Sequence, residues 1–203
     1  MFQVGYHMWT SSPDSIATSG IGRSFNAYFM FDFPFKTDAR WSVGMGPGIS
    51  TDNIYFDNQV RRRLDITNNN AITYAELSAR DTAIRYRKVK LGTAFLEVPV
   101  ELRFNTDPEN DKGLKAALGL KVGTMINVTH RTRYQSDERG NIDYIEKQKS
   151  RQHFNNLRIA ATGRIGFGKV ALFASYQLND LIKERQGPNQ IRPLTVGLSV
   201  SGL

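Results

Sequence analysis

Leu114-Lys-Ala-Ala-Leu-Gly-Leu-Lys-Val-Gly-Thr-Met-Ile-Asn-Val128 is the stretch on which the fold turns. Leu114, Ala116, Leu118, Leu120, Val122, Thr124, Ile126 and Val128 share one parity; Lys115, Ala117, Gly119, Lys121, Gly123, Met125 and Asn127 hold the other. Successive side chains of a strand point to opposite faces, so a period of two kept up this long reads as a strand with one apolar face. A helix would scatter the same residues around its axis. Leu96-Glu-Val-Pro-Val-Glu-Leu-Arg-Phe104 repeats the pattern, with Glu97, Pro99, Glu101 and Arg103 on its second face.

Working outward, alternation predicts eight strands near 2–10, 24–34, 41–53, 91–105, 113–130, 156–167, 169–179 and 194–203. Glycine, small polar and charged residues fill the face opposite the apolar one in every case. The connections alternate as well. Those after the second, fourth and sixth strands are short, ending with a tight Gly166-Phe-Gly-Lys169 reversal, while those near 11–23, 54–90, 131–155 and 180–193 are long. Short turns at one end and long loops at the other are the asymmetry of outer-membrane barrels. The expected fold is therefore all-β: an eight-stranded antiparallel up-and-down transmembrane β-barrel with short periplasmic turns and long extracellular loops.

Length and composition fit this reading. The 203 residues contain no Pro/Gly/Ser-rich linker, so 1–203 is expected to be a single outer-membrane β-barrel domain. No segment has the run of apolar residues that a transmembrane helix needs, but a barrel strand spans with about 9–11 residues, only every second one apolar. The chain holds no cysteine, so thiolate chemistry is absent. Met1 leads straight into a strand, which is expected of a mature form whose signal peptide has been removed.

An eight-stranded barrel is narrow enough to be filled by its own side chains. Gly44, Gly46, Gly48, Gly119 and Gly123 would make room inside for a polar network of Glu97, Glu101, Arg103, Lys115, Lys121, Arg158 and Arg164, with Asp32 a candidate member. Buried charges are tolerable only when paired. Phe33, Trp41, Phe104 and Phe167 lie beside the short turns on the apolar parity, where rings would form a periplasmic aromatic girdle. Tyr6, Phe25 and Tyr176 are candidates for the outer one.

The net charge of +8 would suit nucleic acid, but the basic residues fall in loops or inside the barrel, without an aromatic-interleaved platform. Arg61-Arg62-Arg63, in the longest loop, is a candidate contact for lipopolysaccharide phosphates or an acidic partner surface, since guanidinium binds phosphate bidentately. Residues 131–147 alternate around Gly140-Asn141 like a hairpin, so the fifth and sixth strands are expected to continue beyond the membrane. Glu97 and Glu101 are about 13 Å apart along one strand, too far for an acid/base pair. His7, His130 and His153 lack metal-ligand spacing, and no cofactor motif is present. No enzyme is expected.

Phe95-Leu-Glu-Val-Pro-Val-Glu-Leu-Arg-Phe104, Gly113-Leu-Lys-Ala-Ala-Leu-Gly-Leu-Lys-Val-Gly123, Gly166-Phe-Gly-Lys-Val-Ala-Leu-Phe-Ala-Ser-Tyr-Gln-Leu178 and Gly187-Pro188 resemble the PorT-like outer-membrane β-barrel family of Bacteroidota. The likeness covers about residues 91–203 and implies the barrel and the outer membrane. The family takes its name from a component associated with type IX secretion, and its signatures are structural. Val200-Ser-Gly-Leu203 ends in leucine where many outer-membrane proteins end in an aromatic insertion signal.

The expected role is structural or interactive, through the long loops or within an outer-membrane complex. Outer-membrane lipid, lipopolysaccharide and other outer-membrane proteins are the expected partners, with nucleic acid excluded. The competing readings are a small lipid-active enzyme, a narrow pore, and a soluble ligand-binding barrel whose Leu/Val/Phe parity faces inward.

Overall fold

The computed structural model describes residues 1–10, 22–56, 62–65, 73–76, 84–108, 113–136, 142–186 and 190–201, with the backbone alone at 62–65, 73–76, 84–89, 134–136, 142–144 and 146. Its strands are β1 (Phe2–Thr10), β2 (Gly22–Tyr28), β3 (Phe31–Pro34), β4 (Trp41–Met45), β5 (Gly48–Phe56), β6 (Arg62–Asp65), β7 (Thr73–Glu76), β8 (Ile84–Asn105), β9 (Leu114–Ser136), β10 (Ile142–Lys149), β11 (Leu157–Phe167), β12 (Val170–Gln177) and β13 (Arg192–Val200). The ring runs β9-β11-β12-β13-β1-β2-β5-β8 and closes by pairing of β8 with β9. It is a closed eight-stranded antiparallel barrel.

β2 and β3 form one wall strand, and β4 and β5 another. The register is constant across both gaps: Tyr28 faces Gly48, Phe31 faces Met45, and the Phe29 N–H donates to the Pro47 carbonyl at 2.8 Å. Pro47 has no N–H to return, so the ladder skips a rung there without losing register. β1 and β13 pair from Phe2↔Val200 to Thr10↔Arg192, which sets both ends of the described chain at the short-turn mouth.

The sidedness is that of a membrane barrel. Phe2, Val4, Leu96, Val98, Val100, Leu118, Leu120, Val122, Ile165, Leu172, Leu198 and Val200 all face outward, Leu118 with 75% of its surface exposed. Gln3, Asn26, Asp52, Glu97, Glu101, Lys121, Arg158, Gln177 and Ser199 are buried inside. An apolar surface of this extent is stable against acyl chains and aggregates in water. The soluble ligand-binding barrel, which needs the Leu/Val/Phe parity inside, is thereby excluded.

Three expectations are corrected. Val128 was expected on the outer face with Leu114, but it is 1% exposed inside the barrel. Ala94 pairs with Asn127 and Phe95 with Met125, which leaves Ile126 as an extra residue and reverses the parity of β9 beyond it. The segment 54–90 was expected to be a loop, yet β5 runs to Phe56 and β8 begins at Ile84. The sixth wall strand does not run on above the membrane. β10 takes that place, pairing Lys149 with Thr129, and residues 150–156 turn in before β11 starts at Leu157.

Candidate functional site: the filled interior

The interior is built in three layers. Nearest the short turns, Glu101 of β8 accepts from Arg103 Nε and Nη2 at 3.1 Å each and from Arg164 Nη2 of β11. Arg103 Nη1 donates to Asp32 of β3 at 3.1 Å, and the Ser42 hydroxyl donates to the same oxygen at 2.9 Å. A cavity of about 260 Å³ opens here, with Asp32, Ser42, Arg103, Lys115 and Arg164 in its lining.

The middle layer gathers charges from four wall strands. Arg158 Nη1 of β11 donates to Asp52 Oδ2 of β5 at 2.7 Å and to Glu97 Oε1 of β8 at 3.0 Å. Lys121 Nζ of β9 lies 3.3 Å from Glu97 Oε2, to which the Tyr28 hydroxyl donates at 2.8 Å. His7 Nδ1 lies 2.9 Å from Thr195 Oγ1 and 3.7 Å from Asp52 Oδ1. Each carboxylate meets cations from strands other than its own. The glycines explain how so much fits: a Cβ on Gly44 would fall 2.3 Å from the Arg103 guanidinium carbon, and one on Gly48 would fall 2.2 Å from the Tyr28 ring. Bare backbone at those wall positions is the space that the larger groups occupy.

The third layer, toward the long loops, is hydrocarbon. Trp9, Ile54, Leu91, Phe95, Met125 and Val128 point inward from the wall, and Phe154, Leu181, Ile182 and Ile191 descend onto them from the segments that return into the mouth. Phe154 bridges to Ile182, and the Asn155 side chain donates to the Asp180 carbonyl at 2.6 Å. The Phe95 ring centroid lies 4.6 Å from the Arg158 guanidinium carbon, a cation–π contact that joins the two layers. The space between His7, Asp52, Phe95 and Leu181 amounts to about 10 Å³.

The structure thus brings Glu97, Lys121 and Arg158 into one cluster and Glu101, Arg103 and Arg164 into a second. Lys115 is half-buried in the lining of the cavity at the short-turn end. Asp52 and Tyr28 belong to the centre without having been singled out from sequence. The parity that puts Gly44 and Gly48 inside continues through Ser50 to Asp52, and the one that puts Ala27 and Phe29 outside turns Tyr28 inward. Phe33, Trp41, Phe104 and Phe167 lie at the short-turn end, with the Trp41 and Phe104 rings 4.9 Å apart. Arg61 lies outside the described residues. Arg62 and Arg63 sit in β6, opposite Glu76 and Ala75 of β7.

A closed antiparallel wall with hydrocarbon outside and paired charges within defines a β-barrel membrane protein. The chain belongs to the family described as the outer membrane protein beta-barrel domain, which matches residues 1–183. That family places it in the bacterial outer membrane. No curated protein and no solved structure matches it.

Proposed function

We propose that this protein is a sealed barrel that acts as a structural or interaction element of the outer membrane, through its long outer segments or as a component of an outer-membrane complex. The observation that carries this is the filling of the interior. Two layers of ion pairs and an apolar plug follow one another along the barrel axis, and the space where the middle layer meets the plug amounts to about 10 Å³, room for no more than a water molecule. That filling favours a sealed barrel over a narrow pore.

On this reading residues 1–203 form one barrel domain, since β13 lies beyond the matched segment and is the strand that pairs β12 with β1. Arg61-Arg62-Arg63 then serves contact with lipopolysaccharide or an acidic partner surface. The rings at the short-turn end form the periplasmic girdle. The resemblance to the PorT-like barrels of Bacteroidota supports membership of a larger assembly, with secretion as the first process to examine.

The test is conductance together with loop replacement. The purified barrel in a planar bilayer is expected to give no ohmic steps; steady steps from the parent protein would mean a narrow pore. A chain with 57–83 replaced by a short turn is expected to fold and insert as the parent does, yet to fail in complementing a deletion strain. Full complementation would return the function to the barrel itself.

A further inference from the structure

Above the apolar band the wall continues as a sheet of β5, β8, β9 and β10, and its outward face carries a row of like charges. Tyr55, Lys90, Arg131 and Lys147 are successive cross-strand partners on one rung, and Asn53, Gly92, Thr129 and Lys149 occupy the next rung toward the membrane. On the inner face the alternating neighbours Leu91, His130 and Thr132 are buried. Adjacent strands are about 4.8 Å apart, so Lys90, Arg131 and Lys147 lie within about 10 Å of one another across the rung. Like charges directly opposite each other destabilise a sheet. Among the described residues none of the three has a carboxylate partner; Lys90 rests on the Tyr55 ring, 5.8 Å from its centroid. The sheet register fixes these like charges in one row.

Its height identifies the anion. The outward series of large apolar side chains ends at Leu96 on β8 and at Ile126 on β9. Lys90 is six residues above the first and Arg131 five above the second, about 20 and 17 Å along the strands and about 14 and 12 Å along the membrane normal at a tilt near 45°. That is the level of lipid headgroups. The face below the row is the same outward wall that meets acyl chains. We propose that Lys90, Arg131 and Lys147, with Lys149 one rung below, bind the phosphate of an outer-leaflet lipid whose acyl chains lie against Leu96, Leu120, Val122 and Ile126. Arg131, at the centre, offers the bidentate fork and the lysines supply point charges on either side. The site rests on the membrane placement of the barrel and not on its interior being sealed.

The test is lipid retention by the intact barrel in non-ionic detergent, read by native mass spectrometry with bisphosphorylated lipid A as the probe. The parent is expected to hold one lipid, and the combined Lys90→Gln, Arg131→Gln, Lys147→Gln variant to lose retention about tenfold while keeping its heat-modifiable mobility. Two comparisons guard the assignment: dephosphorylated lipid A should be held weakly by both, and Lys36→Gln with Lys169→Gln, at the opposite mouth, should leave retention unchanged. Equal retention by parent and triple variant, equal retention of the dephosphorylated lipid, or an equal loss in the Lys36/Lys169 variant would each overturn the site. Inorganic phosphate at matched concentration should displace little of the lipid, and full displacement would mean a free-phosphate site instead.

Discussion

Below Phe95 the barrel is filled with ion pairs, and above it with hydrocarbon, so one wall solves the same packing problem twice with opposite chemistry. The lower filling comes entirely from the wall. Asp52, Glu97, Lys121 and Arg158 stand on four different strands, β5, β8, β9 and β11, and their bonds form only once β8 has met β9 and the ring is closed. In an open or slipped sheet each would be a buried charge without a partner, which is far costlier than the pair is stabilising. The upper filling is non-directional and comes partly from segments that fold back into the mouth, Phe154 on one side and Leu181, Ile182 and Ile191 on the other. The contrast implies that the charged layer specifies closure and register, while the plug contributes burial and seals the outer end.

Removing the cation at the centre of the charged layer should have the largest effect. Arg158→Met keeps much of the volume but takes from Asp52 its guanidinium donor and leaves Glu97 with Lys121 and the Tyr28 hydroxyl, at a cost of about 3–5 kcal/mol. Urea unfolding from lipid vesicles, followed by tryptophan fluorescence, measures it. If the layer specifies closure, Arg158→Met should also slow the appearance of the heat-modifiable band during refolding. Adding Asp52→Asn should recover part of both losses, and an unchanged unfolding midpoint in Arg158→Met would reduce the network to decoration.

The plug should respond differently. Phe154→Ala removes a fully buried ring from a site whose neighbours belong partly to returning segments that are able to settle inward, so the cost should sit near the low end of the large-to-small range, about 3 kcal/mol. Refolding kinetics should be close to those of the parent, because no wall strand depends on Phe154 for its register. A Phe154→Ala barrel that refolds as slowly as Arg158→Met would erase the distinction between the two fillings.

The same contrast explains what was legible beforehand. Inside the membrane the chain must alternate, because one face meets acyl chains and the other a narrow interior, and so eight wall strands and their sidedness follow from parity alone. Glu97, Glu101, Lys121, Arg158 and Arg164 all sit on the inward parity, and their types declare that parity polar. Which cation meets which carboxylate depends on shear and register, and these are fixed by pairings between strands distant in sequence. The plug left no such trace. Val128 falls beyond the extra residue Ile126, which reverses the pattern of β9, and Phe154, Leu181, Ile182 and Ile191 lie in segments without periodicity. Beyond the bilayer, β8 and β9 keep their backbone ladder with no need of an apolar face, so Ile84–Lys90 reads as loop although it is strand, whereas the alternation around Gly140-Asn141 foretells that β9 runs on to Ser136.

Asp38 and Arg40, in the short turn between β3 and β4, place the chemistry of the buried pairs in water. The Asp38 carboxylate accepts from the Arg40 guanidinium at 2.9–3.2 Å and from the Arg40 backbone N–H at 3.0 Å, with the Arg40 side chain exposed and that of Asp38 partly exposed. Those hydrogen bonds hold the Asp38 carboxyl below the ordinary aspartate value near 3.8. A depressed folded-state value means that the pair's contribution is present above the unfolded aspartate pKa and is lost as pH falls through the lower folded one. Both charges keep their hydration, so the contribution should be too small to move the unfolding midpoint at neutral pH. Arg40→Gln should therefore return the Asp38 titration, followed by carboxyl-carbon NMR, toward its ordinary value while unfolding at neutral pH stays as in the parent. Should Arg40→Gln destabilise the barrel as Arg158→Met is expected to, burial would not be what separates the two pairs, and the closure role assigned to the central layer would lose its physical basis.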